Sequence, residues 1–151
     1  MLFRDLVKDR ADYQVGSAGV GAFSGQAASR NSAILAKERG LDLSMHQSRA
    51  ATIDLIEAAT HIVGMSRSHV AAILAEYPEA EDKVYLVSEF TADDHLRGRD
   101  LCDPFGGDLS EYRETLQHLE AMLPSVLAYI EQTWKDENAD AEAGRGRQQG
   151  D

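Results

Sequence analysis

The chain has 151 residues, enough for one domain with a real core, and its 43% hydrophobic and 27% charged residues suit a globular protein. The formal net charge of -11 repels nucleic-acid phosphates and anionic lipid surfaces, so neither is expected as a partner. No apolar run approaches the ~18 residues of a membrane span, and the single cysteine, Cys102, excludes an internal disulfide, so a reducing cytoplasm is the expected location.

From the N-terminus, Leu2, Phe3, Leu6 and Val7 repeat at helical spacing, which predicts the end of an amphipathic helix through Arg10. Tyr13 to Ala18 reads as a short strand, followed by a loop punctuated by Gly19, Gly21 and Gly25. Ala27 to Arg39 reads as a helix with Ala33, Ile34 and Leu35 inward, ended by Gly40 as a C′ glycine. A polar connection from Ser44 to Arg49 leads to a helix capped by Thr52 and burying Ile53, Leu55 and Ile56. His61 to Met65 is nearly continuous apolar sequence, as a strand buried on both faces should be. Ser66 caps the next helix, with Val70, Ile73 and Leu74 inward, and Lys83 to Val87 is a further strand. Strands alternating with helices predict an α/β fold with a mostly parallel sheet.

The segment Leu101 to Asp108 is a stiff loop tied to a firm helix start. Asp103 precedes a proline and is pushed toward extended backbone. Pro104 fixes its own φ, and Gly106 and Gly107 are free to turn. Asp108 with Glu111 forms a capping box. Leu109, Tyr112, Leu116, Leu119, Leu123, Val126 and Ile130 trace one face of the helix that follows, and Pro124 is expected to kink it. Residues 136–151 lack large apolar side chains and read as a disordered acidic tail, leaving residues 1–135 as the single domain.

Several chemistries are excluded by pattern. No pair among His46, His61, His69, His95 and His118 has zinc-site spacing, so no metal is expected, and no P-loop or dinucleotide-binding glycine pattern implies a cofactor. Cys102 is followed by Asp103 rather than by an N–H-donating loop, and reads as a small apolar residue at a strand end. His69 and His118 read as helix-surface residues, and His61 as a strand-edge residue.

The ordered series Val15-Gly16-Ser17-Ala18-Gly19-Val20, His46 with Arg49, Ile62-Val63-Gly64-Met65, Lys83-Val84-Tyr85-Leu86 and Asp103-Pro104-Phe105-Gly106-Gly107 resembles the low-molecular-weight protein-tyrosine phosphatases, in their bacterial form. The resemblance runs from about Phe3 to the region of Ile130. It implies a three-layer α/β sandwich around a small parallel sheet and a phosphorylated protein as substrate. In that family the nucleophile is a cysteine in a Cys-x5-Arg loop between the first strand and first helix, and no such pattern occurs in these 151 residues. Phe3 to Val7 resembles the later turns of that first helix. The first strand is therefore expected to be missing, and the chain as it stands is expected to be inactive. By resemblance, Asp103 is the general acid, Phe23 and Phe105 wall the substrate pocket, and Ser17 and His46 brace the phosphate loop; Arg49 matches a basic position. Without the resemblance, Phe23 and Phe105 read as core packing and Ser17 as a strand-end hydroxyl. Two function classes stay open: a phosphatase for phosphotyrosine or phosphoarginine, complete only with an upstream segment, or a non-catalytic remnant that binds a partner. Arsenate reductases share the fold but need further cysteines.

Overall fold

A computed structural model describes the backbone of residues 1–146 and the side chains of residues 1–134. Among the described residues, five α-helices and two short strands follow one another as α1 (Leu2–Leu6), α2 (Arg30–Glu38), α3 (Ile53–Ala58), β1 (Ile62–Gly64), α4 (Arg67–Glu76), β2 (Val84–Leu86) and α5 (Leu109–Gly146). Turns of 3₁₀ helix at Pro78–Lys83 and Val87–Phe90 flank β2. The strands β1 and β2 are parallel, with Ile62 beside Val84 and Gly64 beside Leu86, and α4 makes the crossover between them. The class is α/β with a small parallel sheet, as expected.

Helix limits follow local chemistry. The Ser29 hydroxyl accepts the Ser32 N–H at 3.2 Å and opens α2. At its other end Gly40 has φ +71°, its N–H reaches the Lys37 carbonyl, and the Leu41 N–H reaches that of Ala36. This closing motif needs a left-handed residue, hence glycine. The Ser66 hydroxyl caps α4 by accepting the His69 N–H. Thr52 precedes α3 without a side-chain cap, and of the three α3 residues expected inside only Ile56 is buried, whereas Ile53 is 40% exposed.

The expected strand Tyr13 to Ala18 is not formed. A strand exists only through a ladder with a neighbour, and among the described residues none pairs with this segment. Its Val15 and Ser17 carbonyls instead accept from the guanidinium groups of Arg4 and Arg49, at 2.8 and 2.7 Å. Pairing begins only at Gly19, in an isolated parallel bridge to Ala50.

The core forms where α5 crosses the sheet. Val87, Leu101, Met122 and Val126 are buried together, with Phe3, Val63, Met65, Phe90, Leu96, Leu119 and Ile130 packed around them. A second cluster of Ile56, Ile73 and Ala80 lies against Ile62, Tyr77 and Val84. Met122, absent from the predicted face, is fully buried, and Val126 of that face is nearly so. Leu116, Leu119 and Leu123 instead line a cleft of about 960 Å³ whose other walls come from Phe3, the segment 10–16, Val63 and Met65.

Helix α5 passes through Pro124 and continues to Gly146. The backbone of α5 is helical to Gly146, which takes it into the segment read as a tail from Asp136 on. Residues 147–151 of that expected tail lie outside the described residues. Toward the C-terminal part of α5, His61 stacks on Tyr85 and meets Tyr129 edge-on. The Thr133 hydroxyl donates to the Tyr129 carbonyl at 2.9 Å and lies 2.8 Å from His61 Nε2, which can donate to it.

Candidate functional site

In parallel α/β sheets, ligands meet the protein beyond the carboxyl ends of the strands. Just past that end of β1, the Leu101 N–H donates to the Met65 carbonyl at 3.1 Å, so the segment carrying Asp103 starts from the sheet itself. Leu101 is buried, while Cys102 and Asp103 emerge exposed. Cys102 lies outside any strand, which corrects the strand-end reading, and its carbonyl accepts from the Thr115 hydroxyl of α5 at 3.2 Å.

The loop is then fixed from within. The Phe105 N–H donates to Asp103 Oδ1 at 3.0 Å, orienting one carboxylate oxygen and leaving the other outward. The Gly107 N–H donates to the Pro104 carbonyl at 2.8 Å, and Gly106 takes φ +83°, where an L-residue would be strained. At Gly107 a Cβ would displace the Glu111 carboxylate, which folds back to accept the Asp108 N–H at 2.8 Å. Asp108 Oδ1 in turn accepts from Ser110 and Glu111, completing the predicted capping box. The loop thus presents a carboxylate and the Phe105 ring, which is 82% exposed.

The Phe23 loop is held by a different device. Ser48 donates its hydroxyl to the Phe23 carbonyl at 2.6 Å and accepts the Gln26 N–H at 3.0 Å. Its backbone groups bond Gly25 and Gln26. Phe23 itself is 80% exposed. Core packing is therefore excluded for both phenylalanines. Two apolar rings held in water on braced loops cost free energy unless something covers them.

Ser17 lies on the unpaired extended segment rather than at a strand end, with its carbonyl held by Arg49 Nε. The Arg49 guanidinium lies flat against Gly16, where a Cβ would collide with it. His46 is exposed on the connection after Leu43, and its N–H bonds the Leu43 carbonyl at 3.0 Å. No described contact joins Ser17 or His46 to Asp103. Among the described residues no group of three His, Cys, Asp or Glu could hold a metal ion. Two residues without any sequence signal tie the site together: Arg4, which holds the 13–18 segment, and Asn31, whose Nδ2 donates to the Gly107 carbonyl at 3.2 Å.

The braced carboxylate–aromatic loop thus lies where parallel α/β sheets commonly bind ligands, beyond the strand ends. The comparisons narrow this. The family model for "Low molecular weight phosphotyrosine protein phosphatase" matches residues 1–137. A protein-arginine-phosphatase of Geobacillus stearothermophilus is 34% identical over 110 residues, covering 73% of this chain and 72% of the relative. Among solved structures, the YwlE arginine phosphatase of the same organism matches with TM-score 0.77 and 29% identity, covering 89% of this chain and 84% of that one. A low-molecular-weight protein tyrosine phosphatase from T. tengcongensis matches with TM-score 0.75 and 28% identity, covering 85% and 86%. The chain belongs to the low-molecular-weight phosphotyrosine protein phosphatase family.

Proposed function

We propose that the protein is a phosphatase acting on phosphotyrosine or phosphoarginine in proteins, and that Asp103 is its general acid and base. The observation that carries this reading is the Asp103 loop: an exposed carboxylate, oriented by the Phe105 N–H, on a segment hydrogen-bonded at Leu101 to Met65 just past β1. Relatives named as arginine phosphatases put phosphoarginine first among substrates.

The chemistry runs in two displacements. A cysteine thiolate attacks phosphorus and the bond to the leaving oxygen or nitrogen breaks, while Asp103 donates its proton to that atom. Asp103, now ionised, takes a proton from a water that attacks phosphorus. The S–P bond breaks, releasing phosphate and the thiolate. The thiolate belongs to a Cys-x5-Arg loop, which these 151 residues do not contain. Phe23 and Phe105 flank the substrate's side chain, and Ser17 and His46 support the phosphate-binding loop. A phosphorylated protein is then the partner, and the cytoplasm is the setting a free cysteine suits.

The test compares two proteins. The 151-residue chain should not hydrolyse phenyl phosphate or a phosphoarginine peptide above background. A form extended by the in-frame codons upstream of Met1 should do so if those codons encode Cys-x5-Arg. Turnover by the 151-residue chain that vanished on Cys102→Ser would make Cys102 the nucleophile and overturn the assignment. A stop codon immediately upstream of Met1 would favour a binding protein without catalysis.

A further inference from the structure

The loop carrying Asp103 and Phe105 and the loop carrying Phe23 lie far apart in sequence, yet one side chain links them. Helix α2 starts four residues after Gln26, the end of the Ser48-braced segment, and Asn31 sits in its first turn. Asn31 is half-buried, and its amide reaches across to the Gly107 carbonyl, also half-buried. Gly107 is the junction of its loop: its N–H closes the turn on Pro104, its missing Cβ admits the Glu111 carboxylate, and its carbonyl takes the Asn31 amide. The rest of α2 is clamped to α5 by two ion pairs, Arg39 with Glu120 and Arg113 with Glu38 at 2.6 Å. The helix therefore has a fixed position from which Asn31 can hold a loop.

We infer that Asn31 is a positioning residue that sets the Asp103–Phe105 loop relative to the Phe23 loop. The inference rests on the reading of Asp103 as the general acid. The turn around Pro104 fixes the loop's shape but not its placement over the sheet. Placement comes from the bonds at its two ends: Leu101 to Met65 with Thr115 to Cys102 at the start, and Asn31 to Gly107 at the finish. A carboxylate that must deliver a proton to one atom tolerates little displacement.

The experiment uses the full chain, labelled with ¹⁵N. Asn31→Asp keeps the side chain's shape but sets a carboxylate oxygen against the Gly107 carbonyl; Asn31→Ala simply removes the donor. In both variants amide exchange at Phe105 and Gly107 should quicken by about tenfold, and the Asp108 ¹⁵N resonance, reporting on the preceding carbonyl, should move. The His69 amide at the α4 cap should exchange as in the wild type. In a form carrying the Cys-x5-Arg loop, Asn31→Asp should lower kcat for a phenyl leaving group, spare an acidic leaving group, and leave KM nearly unchanged. Unaltered exchange at Phe105 and Gly107 overturns the inference while leaving Asp103 to its own test. Faster exchange with no leaving-group dependence in Asn31→Asp, where Asp103→Asn shows one, reduces Asn31 to a structural tie and overturns its positioning role. Absence of that dependence in both variants overturns the general-acid reading, and the positioning role with it.

Discussion

At the scale of single residues, two aspartates five positions apart serve opposite ends of one loop. Asp103 turns one oxygen to the Phe105 N–H and keeps the other in solvent; Asp108 spends its acceptor capacity on the amides of α5. That difference predicts a difference in kinetics. In a form carrying the nucleophile loop, Asp103→Asn should lower kcat on phenyl phosphate by roughly 10²–10⁴-fold, the usual contribution of general acid–base catalysis. The loss should shrink as the leaving group becomes more acidic and needs no proton. Asp108→Asn is the matched control, since asparagine caps a helix about as well as aspartate. Equal kcat for wild type and Asp103→Asn on the phenyl substrate would reduce the loop to a turn.

At the scale of elements, two ion pairs join the α2 segment to α5, while Leu35 and Ala36 of α2 are buried. The Arg39 guanidinium holds the Glu120 carboxyl below its ordinary value of 4.5, and Arg113 does the same for Glu38. A carboxyl whose value is depressed by folding stabilises the native state above its unfolded value, and the contribution is lost as pH falls through the folded value. These two pairs, with Asp12 held down by Arg10, therefore stabilise the protein at neutral pH and weaken as pH falls below 4.5. The Glu120 pair is half in solvent, so it contributes at most about 1 kcal/mol. Urea denaturation should give a lower midpoint at about pH 3.5 than at about pH 6. Glu120→Gln should lower the midpoint at the higher pH, with a loss in unfolding free energy of less than about 1 kcal/mol, and reduce the difference between the two. An unchanged pH dependence in that variant would mean that the pair makes no contribution.

At the scale of the whole molecule, the two-stranded sheet is small for the helices that cover it. The cleft of about 960 Å³ between the 10–16 segment, β1 and α5 is lined by Phe3, Val15, Val63, Leu119, Leu123 and Ile130. Apolar walls facing solvent forgo the burial that stabilises a domain of this size. The 151-residue chain should therefore bind an apolar fluorescent dye and melt early or without a sharp transition. A cooperative melt at an ordinary mesophile temperature, with a monomeric elution volume and no dye binding, would count against this view. Among the described residues no helix is long and apolar enough to cross a membrane.

What the sequence determined by itself was local. The Gly40 stop, the Ser66 cap, the Asp108–Glu111 box and the stiffness of Asp-Pro-Phe-Gly-Gly each depend on neighbours within a few positions, and each formed as read. The two strands that pair were also read in place, each as the middle of a longer run: Ile62–Gly64 within His61 to Met65 and Val84–Leu86 within Lys83 to Val87. Tyr13 to Ala18 carries a similar extended pattern but forms no strand, since a ladder needs a partner that a local pattern cannot supply. Exposure of Phe23 and Phe105, the burial of Met122 in place of the neighbouring leucines, and the Asn31 bond to Gly107 were decided only in three dimensions. The physical reason is the same in each case. A side chain's type limits what it can contact, but which groups stand opposite it depends on segments tens of residues away, and only the packing of α2, α5 and the sheet brings those together.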